Sequence, residues 1–133
     1  MANSKKKGPF PDLIYSTALP PAVLGSIYAS VKFMPNAVFL RERLKKNTRF
    51  VLESLKNLNF DTANSNSHII PVIIKDKIKR DKICRSLLSN GFYVKEITPP
   101  TVPKNQERIR LSVTATMKKN TLENFINTIR EFK

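Results

Sequence analysis

Apolar positions along the 133 residues recur with two different periods, and the changes of period mark out the elements. Across residues 38–58, Leu40, Leu44, Val51, Leu55 and Leu58 fall on one helical face, with Arg41, Arg43, Lys45, Lys46, Arg49 and Lys56 mostly on the other. That spacing predicts a surface helix with a single apolar stripe. Ahead of it, residues 22–34 predict another helix. Pro20 and Pro21 can open it, because the first turn has no N–H partner to lose, and Pro35 interrupts it. Its small residues Ala22, Gly25, Ser26, Ala29 and Ser30 permit close packing. Residues 12–17 (DLIYST) read as a short extended piece, and residues 1–11 as a polar lead-in broken by Pro9 and Pro11.

Beyond a turn-rich stretch at 61–67, the period changes to that of a strand. Residues 68–74 (HIIPVII) carry the branched apolar content of a buried strand. Pro71 within it predicts an edge position or a bulge, since proline has no N–H for a ladder. Residues 77–90 predict an amphipathic helix with Ile78, Ile83, Leu87 and Leu88 inward and Gly91 as its cap. Two further strands are expected at 92–97 and 108–114, the latter with Ile109, Leu111 and Val113 alternating. Between them, residues 98–106 form a loop stiffened by Pro99, Pro100 and Pro103. A last helix at 119–132 turns Leu122, Phe125, Ile126 and Ile129 to the core. The order implies one domain over residues 12–133, of α/β class in its α+β form: a small, mainly antiparallel sheet covered on one face by helices.

Charge changes this picture more than size does. A net +14 invites phosphate-bearing partners, and a stand-alone basic nucleic-acid-binding module is the alternative reading. The cations are scattered, however, each group lying beside an element that needs a polar face. The three tyrosines and eight phenylalanines form no RNA-binding aromatic motif, which argues against nucleic acid. No stretch approaches the roughly 18 apolar residues of a membrane span, so no membrane partner is expected. Lys5, Lys6 and Lys7 make a poor secretion signal with Pro9 and Pro11 behind them. The single cysteine, Cys84, has no internal partner, which suits a reducing, cytoplasmic setting. There is no glycine-rich phosphate loop, no paired-cysteine metal motif and no nucleophile signature. His68, the one histidine, reads as an ordinary half-buried residue at a strand edge.

Four strings in order carry a resemblance: IYSTALPPAV at 14–23, SHIIPVIIKD at 67–76, LLSNGFYV at 87–94 and TPPTVPKNQERIRLSVTAT at 98–116. Together they resemble the carboxy-terminal domain of the alpha-oxoamine synthases over essentially all of residues 12–133. The paired prolines before Thr101 look more like the branch that makes 8-amino-7-oxononanoate for biotin than those that make 5-aminolevulinate or 2-amino-3-ketobutyrate.

The resemblance implies a fold-type-I enzyme in which pyridoxal phosphate serves as electron sink while an amino acid is joined to an acyl-CoA and carbon dioxide is lost. It implies a homodimer. It also implies that the Schiff-base lysine belongs to a large domain upstream, so these residues alone would be an inactive fragment that does not bind the cofactor. Three matches are implied: Thr101 touching substrate, Arg110 gripping the amino-acid carboxylate, and Ser16 with Thr17 approaching the cofactor phosphate across the dimer interface. The residues alone leave plainer roles open. Thr101 could be a turn residue, Arg108 a solvent-facing partner of Glu107, and Ser16 or Thr17 a helix cap. Two positions depart from the family pattern. Thr98 stands where the family has an arginine, and Met117 where it has a histidine.

Overall fold

The computed structural model describes residues 19–133, which fall into two units divided after Ala37. The first contains helix α1 (Pro21–Phe33), which runs into a 3-10 turn over Met34–Asn36 at Pro35. Proline at the first helical position starts it as expected. The Ser26 and Ser30 hydroxyls bond back to the Ala22 and Ser26 carbonyls, spending their polarity on the helix itself. Val23, Leu24, Ile27, Tyr28, Val31 and Phe33 are all exposed, and α1 buries no residue.

The second unit holds α2 (Val38–Asn57), β1 (Ile69–Ile73), α3 (Lys77–Ser89), β2 (Lys95–Ile97), β3 (Arg108–Ser112) and α4 (Lys119–Arg130). Its three strands form a wholly antiparallel sheet in the order β1-β3-β2. Ile70, Val72, Ile109 and Leu111 point from that sheet into a core completed by Val51 and Leu55 of α2, Ile83 and Leu87 of α3, and Phe125, Ile126 and Ile129 of α4. The small antiparallel sheet covered on one face by helices is therefore present. No single helix among the described residues is long and apolar enough to cross a membrane.

Helix α3 keeps its expected facing at Ile83 and Leu87 and departs from it at Ile78 and Leu88. Its buried stripe is Arg80, Ile83 and Leu87, while Ile78 and Leu88 are exposed. Both lie five residues from Ile83; at roughly 100° per residue they sit about 140° around the helix from it. Apolar content did not set the phase. The helix ends where expected, with Gly91 at φ 82. Phe92 N–H bonds Leu87 O at 2.8 Å and Gly91 N–H bonds Leu88 O at 3.0 Å, the paired closure of a left-handed cap. That reversal uses Phe92, whose ring meets Phe125 edge-on at 5.6 Å. Strand β2 consequently begins only at Lys95, shorter than the expected 92–97.

Pro71 takes the edge option, with no bulge, since the register from Ile69↔Ser112 to Ile73↔Arg108 is unbroken. The outer side of β1 is closed at every step. Ile69 N–H bonds Ser67 Oγ, Pro71 has no N–H, and Ile73 N–H bonds Asp61 O at 2.8 Å.

Candidate functional site

The face of the sheet away from the helices is open, and the alternation of β3 decides what stands on it. Ile109 and Leu111 turn inward and are buried, leaving Arg108, Arg110 and Ser112 on the other side. The two arginines are not equivalent. Arg108 donates from Nε to Gln106 O at 2.8 Å and from Nη2 to Gln106 Oε1 at 3.0 Å, so its guanidinium is occupied by its own strand entry. Its partner is thus Gln106 and not Glu107. Arg110 is exposed, and no hydrogen bond or ion pair engages its side chain among the described residues. Because β3 is central, Arg110 has a neighbour on each side: Pro71 on β1 and Lys95 on β2.

The hairpin bearing Arg110 is tied down from behind. Glu96, between the outward Lys95 and Ile97, faces the helices and accepts from Arg80 Nε at 3.1 Å. Arg80 also donates from Nη1 to Ile74 O at 2.8 Å, linking α3 to the end of β1. It is 3% exposed, a cation inside the apolar layer that holds both sheet edges to one helix. Cys84, one turn further along α3, has its thiol pushed up to about 12. Burial is the main cause, the Glu96 carboxylate adds to it by charge and hydrogen bond, and Arg80 opposes it.

Thr101 lies exposed in the loop between β2 and β3, its N–H closing a turn on Thr98 O at 3.0 Å. Thr101 and Arg110 share one hairpin, and no hydrogen bond joins them. Ser16 and Thr17 lie outside the described residues. Thr98 is exposed beside the prolines. Met117 packs against the core, and Asn47 Nδ2 fixes that segment by donating to Thr114 O at 3.0 Å and Met117 O at 3.2 Å. His68 is exposed, not half-buried; its strand-edge role is carried by its carbonyl, which accepts from Val113 N–H at 2.9 Å. Residue order alone does not single out Lys95. Its matching strand parity with Arg110 is the signal, but that signal needs the register.

No described lysine is placed as a Schiff-base lysine would be. Every described lysine is exposed, whereas a Schiff-base lysine is activated by desolvation or a neighbouring cation in a closed site. Nor do the described residues contain a group of three or more histidine, cysteine or acidic side chains able to hold a metal.

Comparison with known proteins agrees with this architecture. The family model for aminotransferase class I and II matches residues 9–129. An 8-amino-7-oxononanoate synthase of Alkaliphilus oremlandii is 35% identical over 119 residues, covering 90% of this chain and 30% of that protein. The enzyme of the same name from Thermoanaerobacter pseudethanolicus is 37% identical over 110 residues, covering 83% and 28%. The chain thus spans less than a third of the length of these relatives. Among solved structures, the serine palmitoyltransferase of Sphingomonas wittichii superposes with a TM-score of 0.83 at 25% identity, covering 89% of this chain and 30% of that one. The 8-amino-7-oxononanoate synthase of Francisella tularensis, at 22% identity, shares the fold with a TM-score of 0.76, covering 88% and 34%. On these grounds the chain belongs to the class I and II aminotransferase family, with its likeness there to the alpha-oxoamine synthases and to the carboxy-terminal domain of their fold.

Proposed function

We propose that this chain supplies the small domain of an acyl-CoA-dependent C-acyltransferase, one that joins an amino acid to an acyl-CoA with release of carbon dioxide and free CoA. Two of its relatives are named 8-amino-7-oxononanoate synthase, and that supports the biotin-forming branch as its setting. Pyridoxal phosphate and its lysine are assigned to a large domain that packs against this one, within a homodimer. When bound there, the cofactor supplies the electron sink for the bond changes at the amino-acid α-carbon.

One observation carries the reading: the guanidinium of Arg110 stands on the open face of the sheet with no partner among the described residues, while Arg108 beside it is tied to Gln106. A planar guanidinium can donate two parallel hydrogen bonds to a carboxylate, a geometry that an ammonium does not reproduce. Arg110 is therefore assigned to the amino-acid carboxylate. Thr101, on the loop that leads into the same strand, is assigned to substrate contact. Ser16 and Thr17 are assigned to the cofactor phosphate.

The test uses the chain assembled with a large domain of the family. Arg110→Lys should weaken amino-acid binding by about 1.5–3 kcal/mol, the range for hydrogen bonds to charged groups, and raise KM accordingly. Arg108→Lys should do far less. Equal effects of the two substitutions would remove Arg110 from this role.

A further inference from the structure

Asn90 and Gly91 close α3 and are both exposed, and the proposed function gives them no task. In an asparagine–glycine pair the side-chain amide cyclises readily, because no side chain on the second residue crowds its backbone nitrogen. Space for the ring is present, since a Cβ added at Gly91 would meet nothing within 4 Å. The helix cap, however, holds the reacting atoms apart. Gly91 N–H, the nucleophile, bonds Leu88 O at 3.0 Å, and Asn90 Nδ2, the leaving group, donates to Ser86 O at 2.9 Å. With Asn90 at φ −93 and ψ 12, the Gly91 nitrogen nearly eclipses Asn90's own nitrogen and is turned away from the side chain. Asn64 and Asn66 are also exposed, but each is followed by a serine, whose side chain crowds the nitrogen that must attack.

From this we infer that Asn90 is a latent deamidation site, closed while α3 keeps its carboxy-terminal cap and open when that cap frays. In the reaction the Gly91 nitrogen loses its proton to solvent and bonds to Asn90 Cγ. The Cγ–Nδ2 bond breaks, and Nδ2 takes a proton from solvent and leaves as ammonia. Water then opens the cyclic imide at either carbonyl, giving aspartate or isoaspartate with no oxidant or reductant. Reaching Cγ requires rotation about the Asn90 Cα–C bond, which breaks the Gly91–Leu88 bond and draws Phe92 N–H off Leu87 O. Helix ends open at a fraction of the global unfolding free energy, so fraying of the cap sets the rate. The change is one-way. The product carboxylate cannot donate to Ser86 O, and it sits at the helix end where the macrodipole disfavours negative charge. Isoaspartate also adds a methylene to the backbone just ahead of Phe92, whose ring meets Phe125. Conversion therefore leaves the end of α3 frayed.

The test incubates the full 133-residue chain at pH 8, in buffer and in concentrated urea, and maps aspartate and isoaspartate by mass after digestion. In urea, residue 90 should convert ahead of Asn64 and Asn66, and Gly91→Ala should slow it. In buffer, conversion at residue 90 should be at least about tenfold slower than in urea, because only molecules with an open cap react. Phe92→Ala keeps the Asn90–Gly91 pair and removes the contact that closes the cap. It should bring the rate in buffer toward the rate in urea while far-UV circular dichroism shows the remaining helices folded. Should that variant not fold, the comparison of buffer with urea for the unaltered chain decides alone. Equal rates in buffer and urea would show that the cap does not guard the site. Conversion of Asn64 or Asn66 ahead of Asn90 in urea, or none at residue 90, would remove Asn90 as the site.

Discussion

Arg80 reaches Glu96 at 3.1 Å and Ile74 O at 2.8 Å, so one side chain of α3 holds the two outer margins of the sheet. Removing it leaves Glu96 without its counter-charge and a buried carbonyl without its donor. Glu96 is 34% exposed, which places the loss at the low end of the range for breaking a buried pair. Arg80→Met should cost about 3 kcal/mol in urea unfolding, and Glu96→Gln about half as much. Combining Arg80→Met with Glu96→Leu should recover part of the single-variant loss, because no unpaired charge remains. A double variant less stable than the sum of its singles would contradict this account.

The Cys84 thiol, held up to about 12 from an ordinary 9.0, should be slow to alkylate. Near neutral pH its thiolate fraction falls about a thousandfold below that of an unperturbed cysteine, and the thiolate is the reacting species. Iodoacetamide at pH 8 should therefore label free glutathione long before the folded chain. Glu96→Gln should speed the labelling, because the carboxylate that raises the thiol is gone. The stability sign follows from the same shift. The unfolded chain releases this proton near 9 and the folded chain does not, so the contribution is complete below that pH and is lost as pH climbs toward 12. Labelling at the glutathione rate would show that the thiol is not held in this way.

Thr48 lines α2 at 8% exposure, and its Oγ1 has no hydrogen-bond partner among the described residues. A buried hydroxyl without a partner carries a desolvation penalty and no return. Valine has nearly the same shape and a similar helix propensity. Thr48→Val should leave thermal stability unchanged or raise it by up to about 1 kcal/mol. A loss larger than that would mean the hydroxyl is satisfied in solution.

How much of this could be read from residue order differs by element. Helix α4 was plain, since Leu122, Phe125, Ile126 and Ile129 repeat at helical steps and all are buried. The inward and outward faces of β3 were equally plain, because a two-residue period admits only one alternative. Helix α3 was not, because its core stripe includes an arginine. Only the presence of Glu96 and Ile74 O beneath it makes that burial tolerable, and both are tertiary facts. The candidate site shows the same division. Alternation put Arg110 on the open face, but the Gln106 bonds that set Arg108 apart, and the Lys95 partner, depend on a loop conformation and a strand register.

The outer side of β1 bears on how copies of this chain behave toward each other. Its isoleucines and valine are residue types that favour intermolecular strand pairing, and Pro71 among them already works against it. Such pairing needs free N–H groups along an edge, and here Ser67 and Asp61 occupy two positions while Pro71 lacks the third. A second molecule approaching that edge finds acceptors but no donors, so a new strand cannot zip onto it. This edge is thus blocked as a template by its own neighbours, and the strand can stay strongly apolar toward the core without offering a pairing edge on that side.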